Sequence, residues 1–214
     1  MRERPIIFNT AMVKAILEGR KTQTRRILKK QPPENLDRHC WFSYSTATYG
    51  FTDQPIPAYK WWKIKSPFGC VGDRLWVRET FCIGSIEEQD HYQGWPKPLY
   101  VYQDGDPKQY PIHKEWCLSE GISFDDVQWK PSIHMPRSAC RIILEITNIR
   151  VERLLSISES DCVKEGIGSS LLRDCKKPKF MQLWEEIYGG EGTCLDNPWV
   201  WVIEFKVIQG GKNE

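Results

Sequence analysis

The sequence predicts an α+β fold built around a small β-barrel with short flanking helices. Three observations support this fold class: long runs in which apolar and polar residues alternate, short helices with recognisable caps, and a change of parity within one strand. Alternation with a period of two is typical of strands that bury one face. At 214 residues the chain is long enough for one elaborated domain with a sizeable core. We therefore interpret residues 1–214 as a single domain.

The first helix is predicted over Ala11–Glu18. Asn9 or Thr10 can cap it, because a short polar side chain accepts hydrogen bonds from the backbone N–H groups of the first turn. Gly19 ends it, since glycine readily adopts the left-handed conformation found at helix C-termini. The helix therefore leads directly into a basic segment.

Two further helices are predicted in the C-terminal half. Ser158 followed by Asp161 resembles a capping box for a short helix that ends at Gly166. Pro178 suits a first-turn position and opens a longer helix, which Gly189-Gly190 ends. The apolar face of that helix has helical spacing and consists of Phe180, Leu183, Trp184, Ile187 and Tyr188.

Three long segments alternate in the manner of half-buried strands, namely 75–81, 140–151 and 199–207. A shorter run covers Leu99–Gln103. Within the second segment the apolar positions change parity at Thr147-Asn148, which indicates a β-bulge or a sharp bend. A strand needs such a bend where it rounds the corner of a barrel.

Two segments of weak periodicity, at 31–70 and 84–130, separate these elements. Both are rich in Trp, Tyr, Pro, Gly and Asp. A disordered linker is poor in aromatic residues. We therefore expect both segments to be ordered, Trp-rich insertions that cover or rim the barrel.

The net charge of +2 is small, but it is unevenly distributed. Residues 1–38 carry ten Lys and Arg against four Asp and Glu. This excess is either a solvated face or a surface that contacts phosphate. A protein that binds duplexes strongly and non-specifically needs many phosphate contacts. The small net charge therefore favours a nucleoside, a nucleotide or a short single strand as the ligand.

Composition also excludes several kinds of site. None of the eight cysteines forms a Cys-x-x-Cys pair, and the four histidines lack the spacing of zinc ligands. No signal peptide or apolar run of about 20 residues is recognisable. We therefore expect a cytoplasmic protein with reduced cysteines, no membrane contact, no obligate protein partner and no cofactor. Its activity should survive a chelator.

The most chemically informative stretch is Gly19–Arg26, which gathers Lys21, two threonine hydroxyls, and Arg25 and Arg26 behind the first helix. This density of donors suits an anionic or carbonyl-bearing ligand better than a protein core. Lys21 and Thr24 are three residues apart, so their side chains share one side only if the chain turns between them.

Glu79 is the expected carboxylate partner of this segment. It shares a strand face with the apolar residues of 75–81, and a carboxylate on an apolar face is costly to bury unless it is paired. Lys21 is a natural partner. The pair is either structural, closing one end of the barrel, or catalytic. In a catalytic set Thr24 is the nucleophile or orients a water, Lys21 is the base, and Glu79 positions the lysine.

A proline-containing loop at 129–137 is expected near the same site. Its two prolines restrict the backbone and remove ladder hydrogen bonds, so it is a rigid loop rather than a strand. Ser132, His134 and Arg137 could face a pocket from it, although a histidine in such a loop often serves only to stabilise it. Trp129 is one of several tryptophans that could stack on a nucleobase.

These residues together resemble the ASCH family, a branch of the PUA-like superfold. The signature that carries the resemblance is Gly-x-Lys followed by Arg, here Gly19, Lys21 and Arg26. Four further matches follow in the order of the family: residues 4–8 (RPIIF), 72–80 (GDRLWVRET), 133–137 (IHMPR) and 197–202 (NPWVWV). The long form, with its Trp-rich insertions, is similar to the versions carried by phages and prophages.

The resemblance implies a β-barrel with a cleft that binds RNA or nucleosides. Small bacterial members resemble amidohydrolases that remove the acetyl group of N4-acetylcytidine with a Lys, a Thr and a Glu. Lys21, Thr24 and Glu79 occupy the matching positions here. The leading expectation is a hydrolase for an N4-acylated cytidine or a related modified base, in which Arg25 or Arg26 stabilises developing negative charge or a phosphate.

Two alternatives stay open. One is a non-catalytic RNA-binding module, in which the same lysine and arginines hold phosphates and a tryptophan stacks on a base. The other is a metal-independent ribonuclease that uses Lys21, and His134 with it, on the 2′-hydroxyl and the phosphate. The expected partner is thus a modified nucleoside or single-stranded RNA.

Overall fold

The computed structural model describes residues 1–34, 36, 38–43, 45–53, 61–84, 99–102, 129–168, 176–189 and 193–210. Within these ranges the strands are β1 (Glu3–Ile7), β2 (Gln23–Ile27), β3 (Arg38–Ser43), β4 (Thr48–Thr52), β5 (Trp62–Lys65), β6 (Arg74–Arg78), β7 (Phe81–Gly84), β8 (Leu99–Tyr102), β9 (Ile143–Arg153) and β10 (Trp199–Gln209). The α-helices are α1 (Thr10–Leu17), α2 (Glu159–Lys164) and α3 (Lys176–Tyr188). The chain is therefore a mixed α+β structure that is dominated by sheet.

A five-stranded sheet in the order β1-β6-β9-β10-β2 forms the centre of the fold. β1 pairs with β6 in parallel, and the other neighbours are antiparallel. Along the β9–β10 pairing Asn148 lies opposite Glu204, whereas Ile146 lies opposite Phe205. Thr147 is the extra residue between them, so the predicted change of parity is a β-bulge.

Strand β10 is covered on both faces. Trp199, Trp201, Ile203 and Phe205 belong to the main core inside the curled sheet. Val200 and Val202 point the other way and pack with α2 and α3 in a second core. The main core is completed mainly by apolar residues of β1, α1, β6 and β9, namely Ile6, Phe8, Val13, Ile16, Leu28, Leu75, Val77, Ile142, Leu144, Ile146, Ile149 and Val151.

The two edge strands of the sheet come close to each other. Arg26 Nη2, on β2, donates a hydrogen bond of 2.5 Å to Ile7 O, on β1. The Arg26 guanidinium also lies 5.1 Å from the centroid of the Phe8 ring. The sheet is thus strongly curled, with a side chain bridging its edges. In the part of the chain that the structure describes, no backbone ladder joins β1 to β2, so the closed PUA-like barrel stays a prediction.

The insertion at 31–70 is more regular than expected. It contains a three-stranded antiparallel sheet in the order β3-β4-β5. Tyr49 and Phe51 on β4 are buried in the main core, so the segment contributes to the core and is more than a rim. In the second insertion β8 pairs with β7, as the short run at 99–103 predicted, and residues 85–98 and 103–128 lie outside the described residues.

The three predicted helices are confirmed. Asn9 Oδ1 accepts a hydrogen bond of 2.9 Å from Met12 N at the start of α1. Ser158 and Asp161 form the capping box of α2, and Pro178 lies in the first turn of α3. Among the described residues no helix combines the length and the apolar character needed to cross a membrane.

Candidate functional site

Lys21 lies at the turn between α1 and β2. Gly19 precedes it at φ +76°, a left-handed conformation that lets the chain turn sharply after the helix. The backbone N–H of Lys21 donates to Ala15 O over 2.9 Å, and Lys21 forms an isolated β-bridge with Glu165. The segment that follows α2 is therefore held directly beside the lysine.

The ammonium of Lys21 is bound by Glu165. Lys21 Nζ donates to the backbone oxygen and to Oε2 of Glu165, each over 2.8 Å. The side chain of Lys21 is only 1% exposed and that of Glu165 only 5%. Burial lowers the pKa of Lys21 below its ordinary value, and the attraction of Glu165 offsets this effect only in part. The charges of Arg26 and Arg25 lower the pKa of Lys21 further.

Lys21 and Thr24 line the same small cavity. Thr24 is buried on edge strand β2, and the cavity beside it has a volume of about 20 Å³, room for about one water molecule. Its walls are Met12, Lys21, Thr24, Arg25, Arg26, Glu165, Phe180, Leu183, Trp184, Ile187 and Tyr188. Lys21 and Thr24 therefore border one cavity, and the apolar face of α3 covers it.

Arg25 is part of a buried ion network and contacts no solvent. Its Nη1 donates to Glu165 Oε1 over 3.1 Å, and its Nη2 lies 3.1 Å from Glu152 Oε2 and 3.3 Å from Asp161 Oδ2. The Arg25 side chain is 0% exposed. Three carboxylates hold its Nη atoms, while its Nε is buried without a hydrogen-bond partner among the described residues, so the expectation that Arg25 contacts substrate stays a prediction.

Arg26 differs from its neighbour in having no carboxylate partner among the described residues, whereas Arg25 has three. Apart from the bond from its Nη2 to Ile7 O, the Arg26 Nε is buried and has no hydrogen-bond partner among the described residues. A buried donor without a partner is costly. The cavity that Arg26 shares with Lys21 and Thr24 therefore contains an arginine with hydrogen-bonding capacity to spare.

Glu79 is buried as expected, but its salt-bridge partner is an arginine. Arg141 Nε and Nη2 donate to the two oxygens of Glu79 over 3.0 and 2.7 Å. The expectation that Lys21 supplies the charge opposite Glu79 is thus wrong, because Lys21 is bound by Glu165. The bidentate pairing of a planar guanidinium with a carboxylate satisfies Glu79 where it lies, just beyond the end of β6.

The loop at 129–137 contains one short 3₁₀ turn and the start of another, and two of its four expected site residues are exposed. Ser132–His134 make the first turn, in which His134 N donates to Pro131 O over 3.0 Å. Trp129 is half-buried just before Lys130, which forms a β-bridge with Phe81. Ser132 is half-buried and His134 is exposed.

Arg137 belongs to a different surface from the Lys21 cavity. Its Nε and Nη2 donate to Glu3 Oε2 over 3.1 and 2.9 Å. Its guanidinium lies 5.9 Å from the Trp76 ring centroid, and that of Arg78 lies 5.4 Å from the same ring. Arg137 is thus placed beside a half-buried tryptophan and a half-buried arginine, and the residues that line the cavity do not include it.

Glu165 is the site residue that sequence reasoning missed. In the sequence it precedes Gly166, which marks the end of a short helix and so attracts attention only as a stop signal. The residue lies 144 positions from Lys21, and no local spacing relates the two. Its only signal is a carboxylate beside a helix-ending glycine.

No cluster of three or more His, Cys, Asp and Glu side chains suited to a metal ion occurs among the described residues. Comparison of the chain with protein-family models, with curated proteins and with solved structures found no match in any of the three. The resemblance to the ASCH family therefore stays a prediction from the motifs of the sequence.

Proposed function

We propose that the protein is a hydrolase that cleaves the amide of an acylated pyrimidine nucleoside, with N4-acetylcytidine as the reference substrate. The observation that carries the proposal is the buried Lys21 ammonium, bound by Glu165 and sharing a cavity with Thr24. A lysine whose pKa is lowered by burial is neutral, and can act as a base, at a lower pH than an exposed lysine. A threonine hydroxyl beside such a base can act as a nucleophile.

In the proposed reaction neutral Lys21 takes the proton of the Thr24 hydroxyl as Oγ1 attacks the amide carbonyl. The tetrahedral intermediate collapses with cleavage of the C–N bond, and the Lys21 ammonium returns its proton to the departing amine. A water then hydrolyses the acyl ester on Thr24 with Lys21 again as base, releasing the carboxylic acid. If Thr24 instead orients a water, the same proton transfers occur in one cycle without an ester.

Glu165 and Arg26 have supporting roles in this scheme. The two bonds from Lys21 Nζ to Glu165 fix the position of the amine. Arg26 is the arginine suited to stabilise the oxyanion, because it lines the cavity and no carboxylate among the described residues neutralises its charge. The Nη atoms of Arg25 are held by three carboxylates, so we assign Arg25 a role with the protein.

The cavity at Lys21 is too small for a nucleobase, so the substrate must reach the lysine from a neighbouring space. A groove of about 1150 Å³ lies beside it, and Ile187 and Tyr188 line both the groove and the cavity. These two residues at the end of α3 therefore form the wall between them. We propose that the nucleoside lies in the groove and that its acyl group passes this wall.

The proposal is tested by incubating the protein with N4-acetylcytidine and measuring cytidine by chromatography. Wild type should convert the substrate in the presence of a chelator, and Lys21→Ala should lose at least about 100-fold in kcat. Lys14→Ala is the matched control, because Lys14 is an exposed lysine on α1, and it should match wild type. Full hydrolysis by folded Lys21→Ala would contradict the proposal.

A second candidate, RNA binding without turnover, is favoured by the group around Trp76. Arg78 and Arg137 both lie within 6 Å of its ring centroid, at 5.4 and 5.9 Å, an arrangement that can hold phosphate beside a stacking surface. It predicts binding of single-stranded RNA that weakens as salt increases and that Arg137→Ala and Arg26→Ala reduce. Affinity independent of salt would count against it.

The ribonuclease alternative also stays a proposal, although no geometric observation favours it: Lys21 is buried and His134 is exposed. It predicts that an RNA oligonucleotide is cleaved while the 2′-deoxy oligonucleotide of the same sequence survives intact.

A further inference from the structure

Glu165 is shared between two cations. Its Oε2 lies 2.8 Å from Lys21 Nζ, and its Oε1 lies 3.1 Å from Arg25 Nη1. All three side chains are almost fully buried, at 5% exposure or less. The negative charge of Glu165 is therefore not available to Lys21 alone, and the position of its carboxylate is fixed from both sides.

Ion pairs on the Nη2 atom of Arg25 also hold its guanidinium in place. Its Nη2 contacts Glu152 and Asp161, and both carboxylates also contact Arg150, over 2.5 and 3.6 Å. A guanidinium is planar, remains charged, and offers several donors in a fixed geometry. Arg25 is thus well suited to set the position of Glu165 and has no freedom to turn toward a ligand.

We infer that Arg25 is a positioning residue for Lys21: it fixes the Glu165 carboxylate and adds a positive charge that favours the neutral, basic form of the lysine. This inference rests on the proposed function, because a role for neutral Lys21 has meaning only if the lysine is the base. Arg25 itself does not touch the substrate, and its effect is transmitted through one carboxylate.

The charged and titratable groups that face Lys21 determine whether the removal of Arg25 raises or lowers the pKa of the lysine. β2 contributes Arg25 and Arg26, and the end of α2 contributes Glu165. The wall formed by α3 contributes one titratable group, the phenol of Tyr188, and α1 contributes Met12. Removing Arg25 deletes a positive charge near Lys21. The Glu165 carboxylate then forms its ion pair with Lys21 and no longer shares it with Arg25. Both changes stabilise the ammonium, so the pKa of Lys21 must rise.

The test is to titrate Lys21 directly. Protein labelled with ¹³C at lysine Cε is followed by NMR as a function of pH, and the Lys21 signal is assigned from its loss in Lys21→Arg. The Arg25→Gln variant should shift the Lys21 midpoint to higher pH. Its kcat/KM for N4-acetylcytidine, measured below the wild-type midpoint, should fall by about tenfold or more.

Arg150→Gln is the matched control. Arg150 belongs to the same ion network, through Glu152 and Glu204, but its contacts do not include Glu165. It should leave the Lys21 midpoint near that of wild type. A midpoint that does not move in Arg25→Gln, or that moves equally in Arg150→Gln, would overturn the inference.

Arg25→Lys keeps the inference testable if Arg25→Gln does not fold. The substituted ammonium retains the charge but cannot span Glu165, Glu152 and Asp161 together, so the Lys21 midpoint should stay close to wild type. Because the carboxylate is less firmly held, kcat should fall by about threefold or more while KM is unchanged. An unchanged kcat contradicts the positioning role.

Because the NMR titration needs no substrate, it tests the role of Arg25 separately from the proposed hydrolase function. A shifted midpoint in a protein that hydrolyses nothing would disprove the proposed function and, with it, the role of Arg25 toward a base. Hydrolysis by wild type together with an unshifted midpoint in Arg25→Gln would disprove the role of Arg25 alone.

Discussion

Glu165 Oε2 lies 2.8 Å from Lys21 Nζ although 144 positions separate the two residues. The contact joins the turn after α1 to the residue that follows α2, and a β-bridge between the same residues supports it. An ion pair this deeply buried is not by itself strong evidence of stability, because desolvation offsets much of the attraction. What it does establish is the position of a buried amine at a cavity that Thr24 also lines.

A comparison of the Glu165→Gln and Glu79→Gln variants shows which of the two glutamates supports Lys21 in catalysis. We expect Glu165→Gln to lower kcat for N4-acetylcytidine by about tenfold to 100-fold, because the amine loses the carboxylate that fixes its position. Glu79→Gln should keep more than half of the wild-type kcat and lose stability instead, by about 3 kcal/mol, since it breaks the buried ion pair with Arg141. Kinetics and urea denaturation measure the two effects.

The reverse pattern, with loss of turnover in Glu79→Gln and full turnover in Glu165→Gln, would restore the assignment made from sequence. Each variant is a matched control for the other, because both replace a buried, paired carboxylate by an amide of the same size.

The lowered pKa of Lys21 also predicts a dependence of stability on pH. Between the folded-state pKa and the ordinary value of 10.5 the unfolded chain binds more protons than the folded one, so the free energy of unfolding rises with pH. Between these two pH values the free energy of unfolding of wild type should rise relative to that of Lys21→Met. The rise should be at most about 1.4 kcal/mol per pH unit. Below the folded-state pKa the difference should be constant.

Urea denaturation of both proteins between pH 7 and pH 10 measures this difference. A stability difference that decreases as the pH rises would show that the ion pair with Glu165 outweighs burial and that Lys21 is held as an ammonium.

Much of the fold was predictable because its determinants are local. Asn9, Ser158 and Pro178 mark helix starts by the chemistry of their own side chains and rings. The parity change at Thr147 marks the bulge, because apolar residues must return to the same side of the sheet after the extra residue. These features can be predicted from the local sequence without knowing which distant segments contact each other.

The site was only partly predictable because its partners are distant in sequence. Lys21 and Thr24 could be predicted together because only three positions of the sequence separate them. The choice between Glu79 and Glu165 depends on which buried cation lies nearest to each, and the sequence contains no pattern that pairs Glu79 with Arg141 or Glu165 with Lys21. The burial of Arg25 depends on Glu152 and Asp161 in the same way.

The thiol of Cys162 should resist alkylation in the folded protein. Cys162, on α2, is fully buried in the second core with residues of α3 and β10, and burial raises its pKa to about 11. The thiolate is the reactive form, so iodoacetamide at pH 8 should leave Cys162 unmodified until the protein unfolds. Mass spectrometry with and without urea checks this, and rapid native labelling would contradict the packing of α3 on the sheet.

Gly166 supports the Lys21–Glu165 contact through its lack of a side chain. It has φ +89°, and a Cβ at this position would lie 3.2 Å from the Cβ atoms of both Ala15 and Lys21. Gly166→Ala should therefore combine backbone strain of about 1–2 kcal/mol with displacement of Lys21 from Thr24. We expect a loss of kcat of about tenfold or more in addition to the loss of stability.

Gly72→Ala is the matched control for this effect. Gly72 has a similar φ of +86°, but a Cβ there meets nothing within 4 Å, so the substitution should cause only the strain. Urea denaturation should give comparable losses of stability for the two variants, while only Gly166→Ala should lose turnover. Equal activity in the two folded variants would mean that the position of Lys21 relative to the segment after α2 does not matter for catalysis, and the proposed base would have to be sought elsewhere.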